Sequence, residues 1–186
     1  MSCKIELDMK TEWLPYFNEW IHCEQCPLLK ATPVIYPRGK IPCDILFIGM
    51  NPGITENSLG FPMTGPTREE IDNWITMGIP SSARWAIQNV VACVTRETMI
   101  RTRDPTVAEV INCRQRLIQF VRLADPGKIV ILGEFAWKHF PKDAFPGLDY
   151  LKLPHPIALA HLELQEARTK RAKVIISLRK FTGRMM

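Results

Sequence analysis

Apolar residues recur along this chain with two different periods, and the alternation between those periods lays out a fold. Short apolar-rich runs at Ile45–Ile48, Ile87–Val91, Ile129–Leu132 and Tyr150–Leu153 predict strands. Between them the spacing lengthens to that of a helix. Thr67-x-x-Glu70 has the form of a capping box, with Ile71, Trp74 and Ile75 behind it and Gly78 to stop the helix. Thr106-x-x-Glu109 opens a second helix whose apolar face reads Val107, Val110, Ile111, Leu117, Ile118 and Val121, ended by Pro126. Near the start, Trp13, Leu14, Phe17, Trp20 and Ile21 are helically spaced. Pro27, Pro33, Pro37 and Pro42 then punctuate a loop that delivers the chain to its first strand. The tail from Leu159 to Lys180 predicts helix in part, with Val174-Ile175-Ile176 open to a strand reading.

Strands alternating with helices predict an α/β protein: a three-layer αβα sandwich around a central, mainly parallel four-stranded sheet. In such sheets the working crevice lies beyond the carboxyl ends of the strands, where Asn51, Cys93 and His155 all fall. The 186 residues suit a single domain over 1–186 with a sizeable core. No apolar run approaches the length of a signal peptide or membrane span, so the expectation is a soluble, cytoplasmic monomer with no membrane partner. The net charge of +5 suits a nucleic-acid partner without establishing one.

Six cysteines in such a chain argue for reduced thiols and metal ligation rather than disulfides. Cys23-x-x-Cys26 is close-spaced, Cys93 follows the second predicted strand, and Cys113 sits in the helix after it. Four thiolates suit a structural zinc or an iron–sulfur cluster, and the residues by themselves leave both open. Cys3 and Cys43 are left over, a terminal thiol and a small buried hydrophobe.

Two further motifs carry polar side chains. Gly49-Met50-Asn51-Pro52-Gly53 closes the first apolar run, and His155-Pro156 follows the last. Read alone, Asn51 is a turn residue with a capping role, and His155 a surface or core histidine. Together they resemble the uracil-DNA glycosylase superfamily. The cysteine order, within Cys26-Pro27-Leu28 and Asn89-Val90-Val91-Ala92-Cys93, narrows the resemblance to the iron–sulfur family 4 type, over about Cys23 to Ala160. That family usually reads Gly-Glu-Ala-Pro-Gly at the first motif. The asparagine here is that of the mismatch-specific enzymes.

The resemblance implies a DNA glycosylase that flips a uracil, or a 5-modified or mismatched pyrimidine, out of single- or double-stranded DNA and hydrolyses its N-glycosidic bond. It implies a [4Fe–4S] cluster on Cys23, Cys26, Cys93 and Cys113, with zinc the alternative. Asn51 takes the water-positioning place and His155 that of the donor to O2 of the leaving base. Gly49, Met50, Pro52, Gly53, Met63 and Asn89 fall at the base pocket, Asn89 reading the pyrimidine edge. Met63 stands where family 4 has a stacking phenylalanine, with Phe61 an alternative stacker, and Gly53 where family 1 has a tyrosine against C5. Arg96, Arg101 and Arg103, a solvated surface if read alone, become phosphate contacts. A non-catalytic DNA-binding or damage-sensing module is the competing reading.

Overall fold

The computed structural model describes residues 14–30, 34–160 and 162–184; Cys3, Trp13 and Pro33 lie outside them. In chain order the first elements are α1 (Leu14–Ile21), β1 (Arg38–Gly39), β2 (Ile45–Gly49), α2 (Ile54–Leu59), α3 (Arg68–Gly78) and β3 (Trp85–Asn89). They are followed by α4 (Val107–Ala124), β4 (Lys128–Leu132), α5 (Glu134–His139), β5 (Asp149–Leu153), α6 (Ile157–Ala160) and α7 (Leu164–Thr182).

Side-chain alternation along the strands decides the layering. Leu46 and Ile48 of β2, with Ile129 and Ile131 of β4, enter one apolar core; Ile45, Phe47, Val130 and Leu132 enter another. A sheet buried on both faces needs helices on both. α1 and α4 fill the first core through Tyr16, Phe17, Trp20, Leu117 and Phe120. α3 and α7 fill the second through Ile71, Trp74, Ile75, Val174 and Leu178. The predicted αβα sandwich is therefore present, with one correction. The sheet has five strands in the order β1-β3-β2-β4-β5, because Arg38 and Gly39 add an antiparallel edge opposite Ile87 and Ala86. Two residues with no apolar period leave no trace in a hydrophobic pattern.

Other expectations shift for stated reasons. β3 starts at Trp85 and ends at Asn89; Val90 and Val91 donate instead to the carbonyls of Gly49 and Met50. The box at Thr106 and Glu109 is made in both directions, at 3.3 and 2.7 Å, a cap on the order of 1 kcal/mol. The one at Thr67 is not. Thr67 donates to Met63 Sδ, while Glu70 accepts from Trp74 and from Arg171 of α7. On α4, Val107 and Ile111 face solvent rather than the core. Val174 and Leu178 are buried with Ile176 exposed, a helical rather than a strand period, so residues 174–176 belong to α7. Among the described residues no helix is long and apolar enough to cross a membrane.

Candidate active site

The carboxyl ends of β2 and β3 lie side by side, with Gly49 paired to Asn89. A Cβ on Gly49 would stand 2.5 Å from Asn89 Oδ1 and 2.8 Å from Met63 Cε. Only glycine lets these three residues meet. Met63 adopts a left-handed backbone (φ 54°), and Arg38 Nη1 donates to its carbonyl at 3.0 Å. Its side chain is thereby held against Gly49 and Asn89, while Phe61 is half-exposed. Asn89 is 1% exposed and gripped through its backbone: its N–H donates to Gln88 Oε1 at 2.8 Å, and its carbonyl accepts from Arg116 Nη2 at 2.7 Å. Its side-chain Oδ1 is buried without a hydrogen-bond partner. A buried acceptor left unpaired costs about 1–3 kcal/mol and marks a position waiting for a donor.

Asn51 follows β2 directly, and its amide can sit only one way round. Nδ2 donates to the Pro52 carbonyl at 3.1 Å and to Thr95 Oγ1 at 2.9 Å. The carbonyl can only accept, and the Thr95 hydroxyl has its own proton committed to the Arg103 carbonyl. Both neighbours demand an N–H. Oδ1 is consequently turned away from them, buried and unpartnered. Thr95 is fully buried, and nothing in its sequence surroundings singled it out. Next to Asn51, Pro52 is buried, and the Gly53 N–H donates to Glu56 Oε2 at 2.8 Å. A Cβ on Gly53 would lie 2.4 Å from that oxygen, so Glu56 occupies the space a larger residue would need. Met50 is half-buried and gives its carbonyl to Val91.

His155 stands at the same edge of the sheet, just past β5. Gly133, after β4, has φ 87°, and a Cβ there would come within 3.3 Å of His155 Cβ. His155 Nδ1 accepts from the Ile157 N–H at 3.3 Å. Burial pushes the imidazole pKa below its ordinary 6.5, so the ring is neutral near pH 7. With Nδ1 accepting, the proton resides on Nε2.

The cysteines gather on the α1 and α4 side. Asn112, beside Cys113 on α4, donates to the Gln25 carbonyl at 2.7 Å and so ties down the turn between Cys23 and Cys26. Cys93 is buried and its pKa is pushed up to about 12, first by burial and then by the charges of Cys113, Cys26 and Cys23. Cys26 is raised by burial and by Cys113 and Cys23. Cys43 also rises to about 12, through burial and then the charge of Asp44, without the cysteine charges that act on Cys93 and Cys26. It stands apart from the other four, as a small buried hydrophobe should. Among the described residues no group of three His, Cys, Asp or Glu is arranged to hold a single metal ion. Arg116, 1% exposed, lies between this side and β3: it donates to the Asn89 and Val90 carbonyls at 2.7 and 3.2 Å and to Tyr16 Oη at 3.4 Å.

The arginines divide. Arg103 donates from both Nη atoms to the buried Glu109 carboxylate, at 2.8 and 2.6 Å, and from Nη1 to the Asp104 carbonyl at 3.0 Å, bracing the loop against the start of α4 and holding that carboxyl below its usual range. Arg101 is exposed and pairs with Glu97 at 3.0 Å. Arg96 Nη1 donates to the Met99 carbonyl at 3.3 Å.

Residues 36–179 match the profile of the Uracil DNA glycosylase superfamily. The chain is 30% identical over 121 residues to the type-4 uracil-DNA glycosylase of Archaeoglobus fulgidus, covering 64% of this chain and 58% of that protein. It is 29% identical over 119 residues to that of Thermotoga maritima, covering 63% and 60%, and 28% identical over 114 residues to that of Pyrobaculum aerophilum, covering 60% and 56%. The aligned part thus spans less than two thirds of each of these relatives.

Proposed function

The chain belongs to the uracil DNA glycosylase superfamily, and on that footing we propose that it is a monofunctional DNA glycosylase that hydrolyses the N-glycosidic bond of uracil or a 5-substituted or mismatched pyrimidine. The observation that carries the reading is the pair of buried acceptors without partners, Asn51 Oδ1 and Asn89 Oδ1, at one edge of the sheet. A folded protein tolerates such atoms where a ligand completes them.

The target bond is unreachable in a stacked duplex, so the nucleotide flips into the site. Asn89 Oδ1 accepts from the base's N3–H, a donor that uracil and thymine carry and cytosine lacks. Met63 packs against the ring as a flexible, polarizable floor. Asn51 Oδ1 accepts from a water and aims its oxygen at C1′; an amide is no base at neutral pH, so this residue orients and does not deprotonate. The bond from C1′ to N1 breaks, its electron pair leaves with the base, and the water oxygen bonds to C1′ as its proton passes to solvent. His155 Nε2–H donates to O2 of the departing pyrimidine and stabilises its charge without becoming charged itself. Gly53 puts no side chain of its own against C5, and the space beside it is taken by the Glu56 carboxylate, so any tolerance of 5-substituents depends on how that carboxylate is placed. Arg96 and Arg101 meet phosphates, with Arg103 as their brace.

Cys23, Cys26, Cys93 and Cys113 would hold a [4Fe–4S] cluster, whose contribution is structural: it pins the N-terminal segment to the loop after β3 and to α4. Four thiolates suit a cluster or a zinc alike, and it is the likeness to the family 4 enzymes that favours the cluster. The test is incubation with oligonucleotides carrying uracil, mismatched thymine or bulky 5-substituted pyrimidines, followed by alkaline cleavage of abasic sites. Strand breaks that depend on the pyrimidine support the reading; binding without breaks on any substrate would return it to a non-catalytic module. Iron with a visible absorption band that dithionite bleaches is expected after anaerobic preparation, and stoichiometric zinc without iron would replace the cluster.

A further inference from the structure

Along the β1 edge of the sheet, between that strand and the start of α3, runs a groove of about 470 Å³ lined by Arg38, Lys40, Arg68, Arg84, Ser82 and Trp85. Its four cations face two carboxylates. Arg38 and Arg68 share Asp72, the second at 3.6 Å, and Arg84 pairs with Asp44 at 3.5 Å. The Arg68 and Arg84 side chains stand half in water, where such pairs are weak and exchange readily for another anion. Lys40 is exposed, and among the described residues no carboxylate pairs with it. Trp85 is half-buried: it packs against the second core, carries the Arg38 guanidinium 5.5 Å from its ring centroid, and still lines the groove. The exposed Ser82 adds a hydroxyl donor to the wall. A concave, positively charged surface with an accessible indole matches phosphates and bases together.

The inner wall of this groove is also the back of the base pocket. Arg38 donates from one Nη to the Met63 carbonyl at 3.0 Å and from the other to Asp72, and Arg68 follows Met63 by five residues. We propose that the groove is a second binding site, for single-stranded DNA continuing from the flipped nucleotide, with its phosphates on Lys40, Arg68 and Arg84 and a base against Trp85. This rests on the glycosylase reading above, and it assigns strand binding to residues that contact neither the reacting bond nor the departing base. Concavity selects a single strand over a duplex. A duplex turns its phosphates outward on a convex surface and hides its bases, whereas an unpaired strand offers both to one groove. Trp85 opens the strand that Asn89 closes, about 13 Å away. Only a substrate longer than the nucleotide being cut reaches both places, so the groove acts on affinity for long strands and not on the chemical step.

The test compares wild type with the double variant Lys40→Ala, Arg68→Ala, whose altered side chains are exposed and should leave the thermal midpoint unchanged. Two single-stranded substrates are used, a trinucleotide with central uracil and a strand of about twenty nucleotides, long enough to fill a groove as well as the pocket. Wild type should show a lower KM on the long strand than on the trinucleotide. The variant should lose about tenfold in affinity for the long strand, and its slope of log affinity against log salt should fall by about 1.4, from two lost phosphate contacts. Its kcat on both substrates, and its KM on the trinucleotide, should match wild type. Equal losses on short and long strands would overturn the groove in favour of a contact at the pocket itself. A loss on duplex DNA as large as that on the long single strand would give these cations to a duplex instead, and unchanged binding would return them to solvent. If wild type cuts no pyrimidine at all, the glycosylase reading falls by itself. Fluorescence anisotropy with a labelled, uracil-free strand then still decides the groove: affinity that the variant loses supports it, and equal affinity overturns it.

Discussion

Asn51 and His155 stand at one edge of one sheet, yet the two are supported in opposite ways. The Asn51 amide donates to two acceptors, and the hydroxyl that receives it is committed onward to Arg103, whose side chain is locked to Glu109 at the cap of α4. His155 has a single long bond to a backbone N–H two residues ahead, in a four-residue helix. In the proposed mechanism the first group supplies direction, because a water is useful only if its lone pair faces C1′. In that mechanism the second supplies a proton donor of fixed charge, and burial with one bonded ring nitrogen is enough for that. Direction takes a network; tautomer takes one contact.

The largest effect should come from removing the directed group itself. Asn51→Ala should cut single-turnover cleavage by roughly a thousandfold or more while DNA affinity stays within a few-fold. Full activity in that variant would end the proposed mechanism. His155→Gln should cost about a hundredfold, since a weaker donor faces the leaving base. The pH profile sharpens the contrast. Because burial holds the His155 pKa below 6.5, the wild-type rate should be flat above that value and fall in acid, where protonating Nδ1 sets two donors, ring and Ile157 N–H, against each other. Stability follows the same sign: the unfolded chain takes up this proton first, so the contribution is complete above 6.5 and is lost as pH falls through the window beneath it. His155→Gln should remove both the acid limb of the rate and that share of the acid instability, as read by thermal melts across pH.

Thr95→Val tests whether the network matters at all. It keeps the shape, removes the hydroxyl, and should lower kcat about tenfold at unchanged KM, with Thr95→Ser restoring most of it. If Val is as fast as Thr, the Asn51 side is no more constrained than the His155 side, and the comparison fails. The smallest effect belongs to the rim. Arg101→Ala should reduce the slope of log affinity against log salt by about one, leaving the cleavage rate at saturation unchanged.

How far the chain could be read in advance follows from the same distinction between isolated residues and networks. Asn51, Asn89 and His155 lie in short motifs next to apolar runs, where local order in the sequence mirrors local order in space. Thr95 could not be found that way, since its importance comes from Asn51, forty-four residues earlier, and from the Arg103 carbonyl. The misread cap at Thr67 has a similar origin. Glu70 had the right spacing to fold back, but Trp74 and the distant Arg171 bind its carboxylate instead. Local patterns name the groups that do chemistry; the groups that hold them are chosen by the tertiary structure.

Arg116 is one of these holding groups. Its guanidinium joins the hydroxyl of Tyr16, one hundred residues away along the chain, to the Asn89 carbonyl, twenty-seven away. Contacts of such separation carry a loop-closure cost that local helical contacts do not. A chain whose first helix had not docked would keep the Arg116 bond to Asn89 but lose the Tyr16 hydroxyl that steadies the guanidinium from the other side. Order at Asn89 thus draws on the docking of the first helix as well as on the strand that carries it, which ties the N-terminal segment to the candidate site.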